Sequence, residues 1–179
     1  SSDVCSSDLM KLGNILLATT LLAGAAMASD FVSYKQLTKK LKAESKKSGE
    51  FATAKEVQHA LKAKDWAVVD VRTQLEWNGA SMKGAHRIGR QSPEKALEGI
   101  VLDDNDKFVK NKIIVVCNSA SRASIEAETF KKMGFKTVKI YDMYSWIDEC
   151  NPVVTSYSKK KDKSGTKNKF GMFKANHCK

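Results

Sequence analysis

Residues 113–134 read IIVVCNSASRASIEAETFKKMG, and the order of residue types in this stretch settles the class of fold. Ile113 to Val116 are four β-branched residues without a polar interruption, the pattern of a strand buried on both faces of a parallel sheet. Cys117 follows at the carboxyl end of that strand. Asn118 to Ser121 are small and polar, and from Arg122 the apolar residues Ala123, Ala127, Phe130 and Met133 recur at helical spacing until Gly134, which is suited to end a helix. The stretch is therefore strand, tight loop, helix. Open α/β sheets bind ligands outside the carboxyl ends of their strands, and a helix N-terminus carries partial positive charge. Cys117 is placed to meet both. Such surroundings, with the Arg122 guanidinium close by, lower a thiol pKa from its free value of about 8.5 and favour the nucleophilic thiolate. A buried structural cysteine is the alternative reading, because free cysteine is among the most buried residue types.

Working outward, Trp66 to Val71 is a second buried strand, and Asp70-Val71-Arg72 stands at its carboxyl end, on the rim that Cys117 occupies if the strands are parallel. An Arg72–Glu76 salt bridge fits the spacing across Thr73 to Asn78, which reads as a short helix. Before it, Thr53 caps a helix through Glu56 and turns Val57 and Leu61 inward, with His59 on its surface, and Phe51 opens a short strand. From Phe31 to Lys47, Ser33 and Gln36 form a capping box ahead of an apolar stripe at Tyr34, Leu37 and Leu41, which Ser48 and Gly49 end. His86 to Ile88 reads as a short strand. Ser92 and Pro93 then start a helix that Gly99 is expected to close, and Asp103 to Asp106 is a polar turn. Arg90, between that strand and helix, reads as either a surface residue or one facing the rim. Lys136 to Tyr141 is the last strand, and Asp142 runs directly into Met143. Trp66, Trp77 and Trp146 read as packing residues.

Taken in order, Asp70-Val71-Arg72, Glu76-Trp77, Gly84-Ala85, the Cys117-x4-Arg122 loop, Met133-Gly134-Phe135, and Trp146 with Pro152-Val153 resemble the motifs of the single-domain rhodanese-like sulfurtransferases. The resemblance covers Phe51 to Val153. It implies an α/β fold with a central, mostly parallel sheet of about five strands flanked by helices. It also implies a Cys117 that takes sulfane sulfur from a small sulfur-containing anion such as thiosulfate or polysulfide, holds it as a persulfide, and passes it to a thiol acceptor or other nucleophile. Asn118, Ser119, Ala120, Ser121 and Arg122 would form the substrate-binding loop, with Asp70 and Arg72 supporting it. No metal and no organic cofactor are needed. Phosphatases and arsenate reductases related to this fold use a loop one residue longer, which favours sulfur here, and the lack of a C-x-x-C argues against a dithiol cycle.

The chain also departs from its relatives. Ala120 stands where they often carry glycine, and alanine at a position needing positive φ costs about 1 kcal/mol. Ala80-Ser81-Met82 replaces a G-H-I, Asp142-Met143 lacks a Gly-Gly, and Asn118 and Ser119 lack cationic side chains. These departures carry the alternative function, a catalytically inactive binding or sulfide-sensing module.

The ends of the chain have a different character. Residues 1–9 resemble a translated adapter scar, and residues 10–28 form a secretory signal: Lys11, an apolar run from Ile15 through Ala26, and Ala26-Met27-Ala28 as the cleavage site. The run is shorter than the ~20 apolar residues of a membrane span. Cleavage after Ala28 would deliver a periplasmic protein beginning with an N-terminal helix within residues 29–50, then the domain at 51–154. Three cysteines then remain, Cys117, Cys150 and Cys178, and either a Cys150–Cys178 bridge or two unpaired thiols fits the sequence. Residues 155–179 read as a basic disordered tail, with eight lysines and one aspartate from 159 onward. The tail is suited to an anionic surface or an acidic protein; export argues against nucleic acid.

Overall fold

A computed structural model of the chain describes residues 31–156, 171–175, 177 and 178. The expected adapter scar and signal segment lie outside the described residues. The compact unit begins at Ser33, whose side chain and that of Gln36 close the capping box that starts α1 (Tyr34–Lys47). A second box, Thr53 with Glu56, starts α2 (Ala54–Ala60). There follow β1 (Trp66–Asp70), α3 (Gln74–Gly79), β2 (His86–Arg87), α4 (Pro93–Val101), β3 (Lys112–Cys117), α5 (Ser121–Lys132), β4 (Thr137–Asp142), α6 (Met143–Asp148), β5 (Val153–Thr155) and β6 (Gly171–Phe173).

The central sheet is wholly parallel, in the order β2-β1-β3-β4. It has four strands rather than about five. The expected strand at Phe51 shrinks to a single parallel bridge with Ile140, held by Ala52 N–H to Ile140 O at 2.9 Å and Ile140 N–H to Glu50 O at 2.9 Å. One face of the sheet packs Val69, Ile113, Val115 and Ile140 against Leu97 of α4 and Ala123, Ala127 and Phe130 of α5. The other packs Val68, Ile114 and Val116 against Val57 of α2 and Met143 and Trp146 of α6. Burial on both faces is why β1 and β3 are continuous apolar runs in the sequence.

Three expectations change in detail. Helix α4 runs through Gly99 to Val101, because Leu97 and Val101 are both buried and hold its last turn against the sheet. Helix α1 does not use the Tyr34-Leu37-Leu41 stripe as its buried face: Tyr34 and Leu37 are exposed, and the buried residues are Thr38 and Ser45. Thr38 can be buried because its hydroxyl donates to Tyr34 O at 2.9 Å. This narrow face lets α1 lie against α5.

The third change concerns the tail. Trp146 Nε1–H donates to Pro152 O at 3.0 Å, which accounts for the six-residue step between them. Val154 then exchanges backbone hydrogen bonds with Ser81 at 2.8 and 2.9 Å, and Thr155 Oγ1 and Ser156 N–H both donate to Asn78 O. Part of the expected disordered tail is ordered: β6 pairs antiparallel with β5, and Cys178 forms a disulfide with Cys150. Compositional reading fails here because a covalent link and a strand partner replace the apolar burial that a lysine-rich segment lacks. Residues 157–170 lie outside the described residues.

Candidate active site

Parallel β1 and β3 carry Asp70 and Cys117 to the same rim, with Cys117 opposite Asp142 of β4. The Cys117 side chain is 1% exposed, and its Sγ accepts from the Ala123 N–H in the first turn of α5 at 3.5 Å. It is the free cysteine among the described residues. The thiol thus faces a helix N-terminus, as its sequence position implied.

Between strand and helix the chain turns on Ala120, which has φ 61° and ψ −2° and is 1% exposed. This is the left-handed conformation that glycine takes without a steric penalty. Alanine keeps the turn, and Ala120 O accepts from Ser124 N–H at 2.9 Å to begin the helix. Ser121 is the first helical residue; Ser119 is exposed, and its carbonyl lies 3.5 Å from the Lys42 ammonium of α1.

Glu76 is the hub of the rim. Its carboxylate receives Arg122 in a two-pronged pair at 2.7 and 2.9 Å, Asn118 Nδ2 at 2.6 Å, and the Thr73 N–H at 2.8 Å. The Arg122 guanidinium leads in holding its carboxyl down, to about 2, with burial opposing. Reciprocally, the Glu76 hydrogen bond holds the Arg122 guanidinium in its charged form, with burial opposing. Arg122 therefore braces the loop through Glu76.

The supporting pair sits beneath. Asp70 and Arg72 are 2% and 3% exposed and joined at 2.7 Å. Arg72 also donates to Glu76 O at 3.3 Å, Asn118 Oδ1 at 3.2 Å and Ala80 O at 2.6 Å. So Arg72 pairs with the Asp70 carboxylate and not with that of Glu76, which corrects the expected Arg72–Glu76 bridge. A buried ion pair is tolerable when its remaining donors are satisfied in this way. Asp70, Arg72, Asn118 and Arg122 are thus brought into one network, and Glu76 is the member that sequence reading left out. Its signal was present in the Glu76-Trp77 motif, but it read as the partner of Arg72, not of Arg122.

The direct step from Asp142 to Met143 also has a local cause. Asp142 caps α6 by accepting from Ser145 N–H at 2.7 Å, so the chain enters the helix at once, and Tyr144 N–H reaches Asn118 O at 3.3 Å. Arg90 lies at the same rim, in a hollow with Val71 and Arg122. Among the described residues, Cys150, His177 and Cys178 bring ligand atoms within 4.8 Å of one another, but both sulfurs are committed to the disulfide and neither is free to act as a thiolate ligand.

A helix-flanked parallel sheet with a buried, unpaired cysteine between a strand end and a helix start defines an α/β domain whose central loop begins at that cysteine. The rhodanese-like domain family matches residues 53–146, and this chain belongs to that family. It is 29% identical over 91 residues to a tRNA uridine(34) hydroxylase of Streptococcus pyogenes, across 51% of this chain and 27% of that protein. The chain thus spans about a quarter of that relative's length. Among solved structures it resembles the polysulfide-sulfur transferase homodimer of Wolinella succinogenes, at 23% identity, TM-score 0.49, 68% of this chain and 91% of that one. It also resembles a rhodanese-related protein of Thermoplasma volcanium, at 25% identity, TM-score 0.43, 59% of this chain and 97% of that one.

Proposed function

We propose that the chain is a sulfurtransferase that moves sulfane sulfur through a persulfide on Cys117. The thiolate attacks the outer sulfur of a donor such as thiosulfate; a Cys117 Sγ–S bond forms, the donor's S–S bond breaks, and sulfite leaves with the electron pair. A thiol acceptor then attacks the outer sulfur of the persulfide, and the Cys117 thiolate is regenerated. The observation that carries this reading is Sγ at the Ala123 N–H in the first turn of α5, inside a loop that Glu76 holds through Asn118 and Arg122. A helix N-terminus and a fixed cation stabilise both the thiolate and an incoming anion. Retention of the left-handed turn at Ala120 removes the main objection raised by the missing glycine.

The near-complete burial of Cys117 favours the second reading, a binding or sulfide-sensing module without turnover. Intact-mass measurement of the purified chain after incubation with thiosulfate separates the two. One added sulfur is expected, and none in Cys117→Ser. An adduct that survives Cys117→Ser would overturn the assignment; no adduct in the unaltered chain would favour the non-enzymatic module.

A further inference from the structure

We infer that the hollow between α1 and the Cys117 rim is the subsite for the sulfur acceptor, and that it takes a small thiol bearing both an ammonium and a carboxylate group, an amino-acid thiol. This inference rests on the sulfurtransferase reading. The hollow has a volume of about 170 Å³ and is lined by Tyr34, Val71, Arg90, Arg122, Ile125 and Glu126. That is below the ~300 Å³ at which pockets for drug-sized ligands begin, and is on the scale of a small molecule.

Its position suits an acceptor. The Val71 side chain belongs to the same buried cluster as Cys117, on the α4 and α5 face of the sheet, and Val71 N–H bonds Val116 O, the residue before Cys117, at 3.0 Å. Arg122 lines the hollow and closes the Cys117-x4-Arg122 loop, so one wall of the hollow is the end of the loop that holds the thiol. Tyr34 comes from α1, ahead of the family match at 53–146, so this wall is contributed by the chain's own N-terminal helix.

Its charges specify the ligand. Arg122 is occupied by Glu76. Arg90 has no hydrogen bond and no carboxylate partner among the described residues, and Glu126 likewise has no cation. Burial, and then the like charge of Glu94, hold the Glu126 carboxyl above the usual carboxylate range, so a cation beside it would offset both effects. A simple anion would satisfy Arg90 and be repelled by Glu126; a simple amine would do the reverse. A ligand carrying both charges pairs with both walls. In the transfer, the acceptor thiolate forms a bond to the outer sulfur of Cys117–S–SH, the Sγ–S bond breaks, and its electron pair returns to Cys117 as thiolate; the product is the acceptor's persulfide.

The test compares kcat/KM for L-cysteine, cysteamine, which lacks the carboxylate, and 3-mercaptopropionate, which lacks the amine. Each ratio between two thiols is independent of the fraction of enzyme that is folded and active. Loss of one charge-assisted hydrogen bond changes such a ratio by about tenfold. In Arg90→Met the ratio of L-cysteine to cysteamine should fall by about that factor. In Glu126→Gln the ratio of L-cysteine to 3-mercaptopropionate should fall likewise. Ratios unchanged within about twofold would overturn the subsite. If the unaltered chain takes up no sulfur from thiosulfate, the sulfurtransferase reading fails separately. The subsite is then decided by calorimetric titration with L-cysteine: heat in the unaltered chain that Arg90→Met removes upholds the hollow as a binding site, and no heat overturns it.

Discussion

Cys117 and the Cys150–Cys178 pair show two fates of sulfur in one chain. Cys117 sits at the end of a central strand with no second sulfur bonded to it, beside a helix N-terminus and a braced arginine. Cys150 follows α6 in a left-handed turn at φ 63°, partly exposed, and is joined to Cys178 across 28 residues. The first environment leaves a thiol unpaired at a helix start; the second commits two thiols to a bond that closes the chain on itself. The difference lies in the surroundings, since the side chains are chemically identical.

The largest expected departure comes from Glu76→Ala. It leaves Arg122 and Asn118 without their shared carboxylate, so the loop around Cys117 loses its outer clamp while the disulfide region is untouched. Transfer from thiosulfate should fall roughly 10- to 100-fold, as small misplacements of reacting groups do. Stability should respond with pH in a definite sense. The Glu76 carboxyl drops from an ordinary 4.5 to about 2 in the folded chain. Its contribution is therefore complete above pH ~4.5 and is lost as pH falls through ~2. After allowance for its partial exposure, the contribution is about 1 to 2 kcal/mol. Urea unfolding of both proteins should show a gap of that size at pH 7 that narrows towards pH 2. A gap independent of pH would mean that the carboxylate is not the source.

Replacing both Cys150 and Cys178 by serine tests the other side. Opening a loop of this length costs about 3.6 kcal/mol in the chain-entropy account, and Tm should drop by roughly 10 °C. Sulfur uptake at Cys117 should persist at temperatures where the variant is folded. If uptake vanished while Tm held, the two sulfur sites would be functionally coupled and the contrast between them would break down.

Ala120→Gly is the smallest and sharpest change. Glycine relieves the left-handed penalty of up to about 1 kcal/mol, so the urea midpoint should rise slightly. Because the turn is already in place, kcat/KM should move by less than about threefold. A tenfold rise would show that alanine misaligns the loop N–H groups.

Local signals in the sequence proved reliable where local physics decides. The capping boxes at Ser33 and Thr53, the double-faced strands β1 and β3, and the loop opened by Cys117 each depend on neighbours within a few residues. The failures share a longer range. Which carboxylate Arg72 takes depends on how β1 and α3 meet β3, and Asp70 won because its carboxylate lies beneath the guanidinium, with both buried. Glu76 read as the partner of Arg72 because that pairing is local, whereas its hold on Arg122 crosses 46 residues. The buried face of α1 was missed because close approach to α5 selects small Thr38 and Ser45 over larger apolar residues. Segment 171–173 reads as solvated from its composition, yet it has a strand partner that no composition discloses.

The margins of the sheet have one more consequence. An exposed strand edge is a template for unwanted pairing with another chain, and parallel sheets are vulnerable while their strands assemble. Here one margin is β2, only two residues long and formed by exposed His86 and Arg87, and the other, β4, is covered by the segment around Phe51. Neither side offers a long, flat, apolar ladder. Growth of the sheet by recruiting a second molecule is hindered by the shortness of β2 on one side and by the bridge at Ile140 on the other.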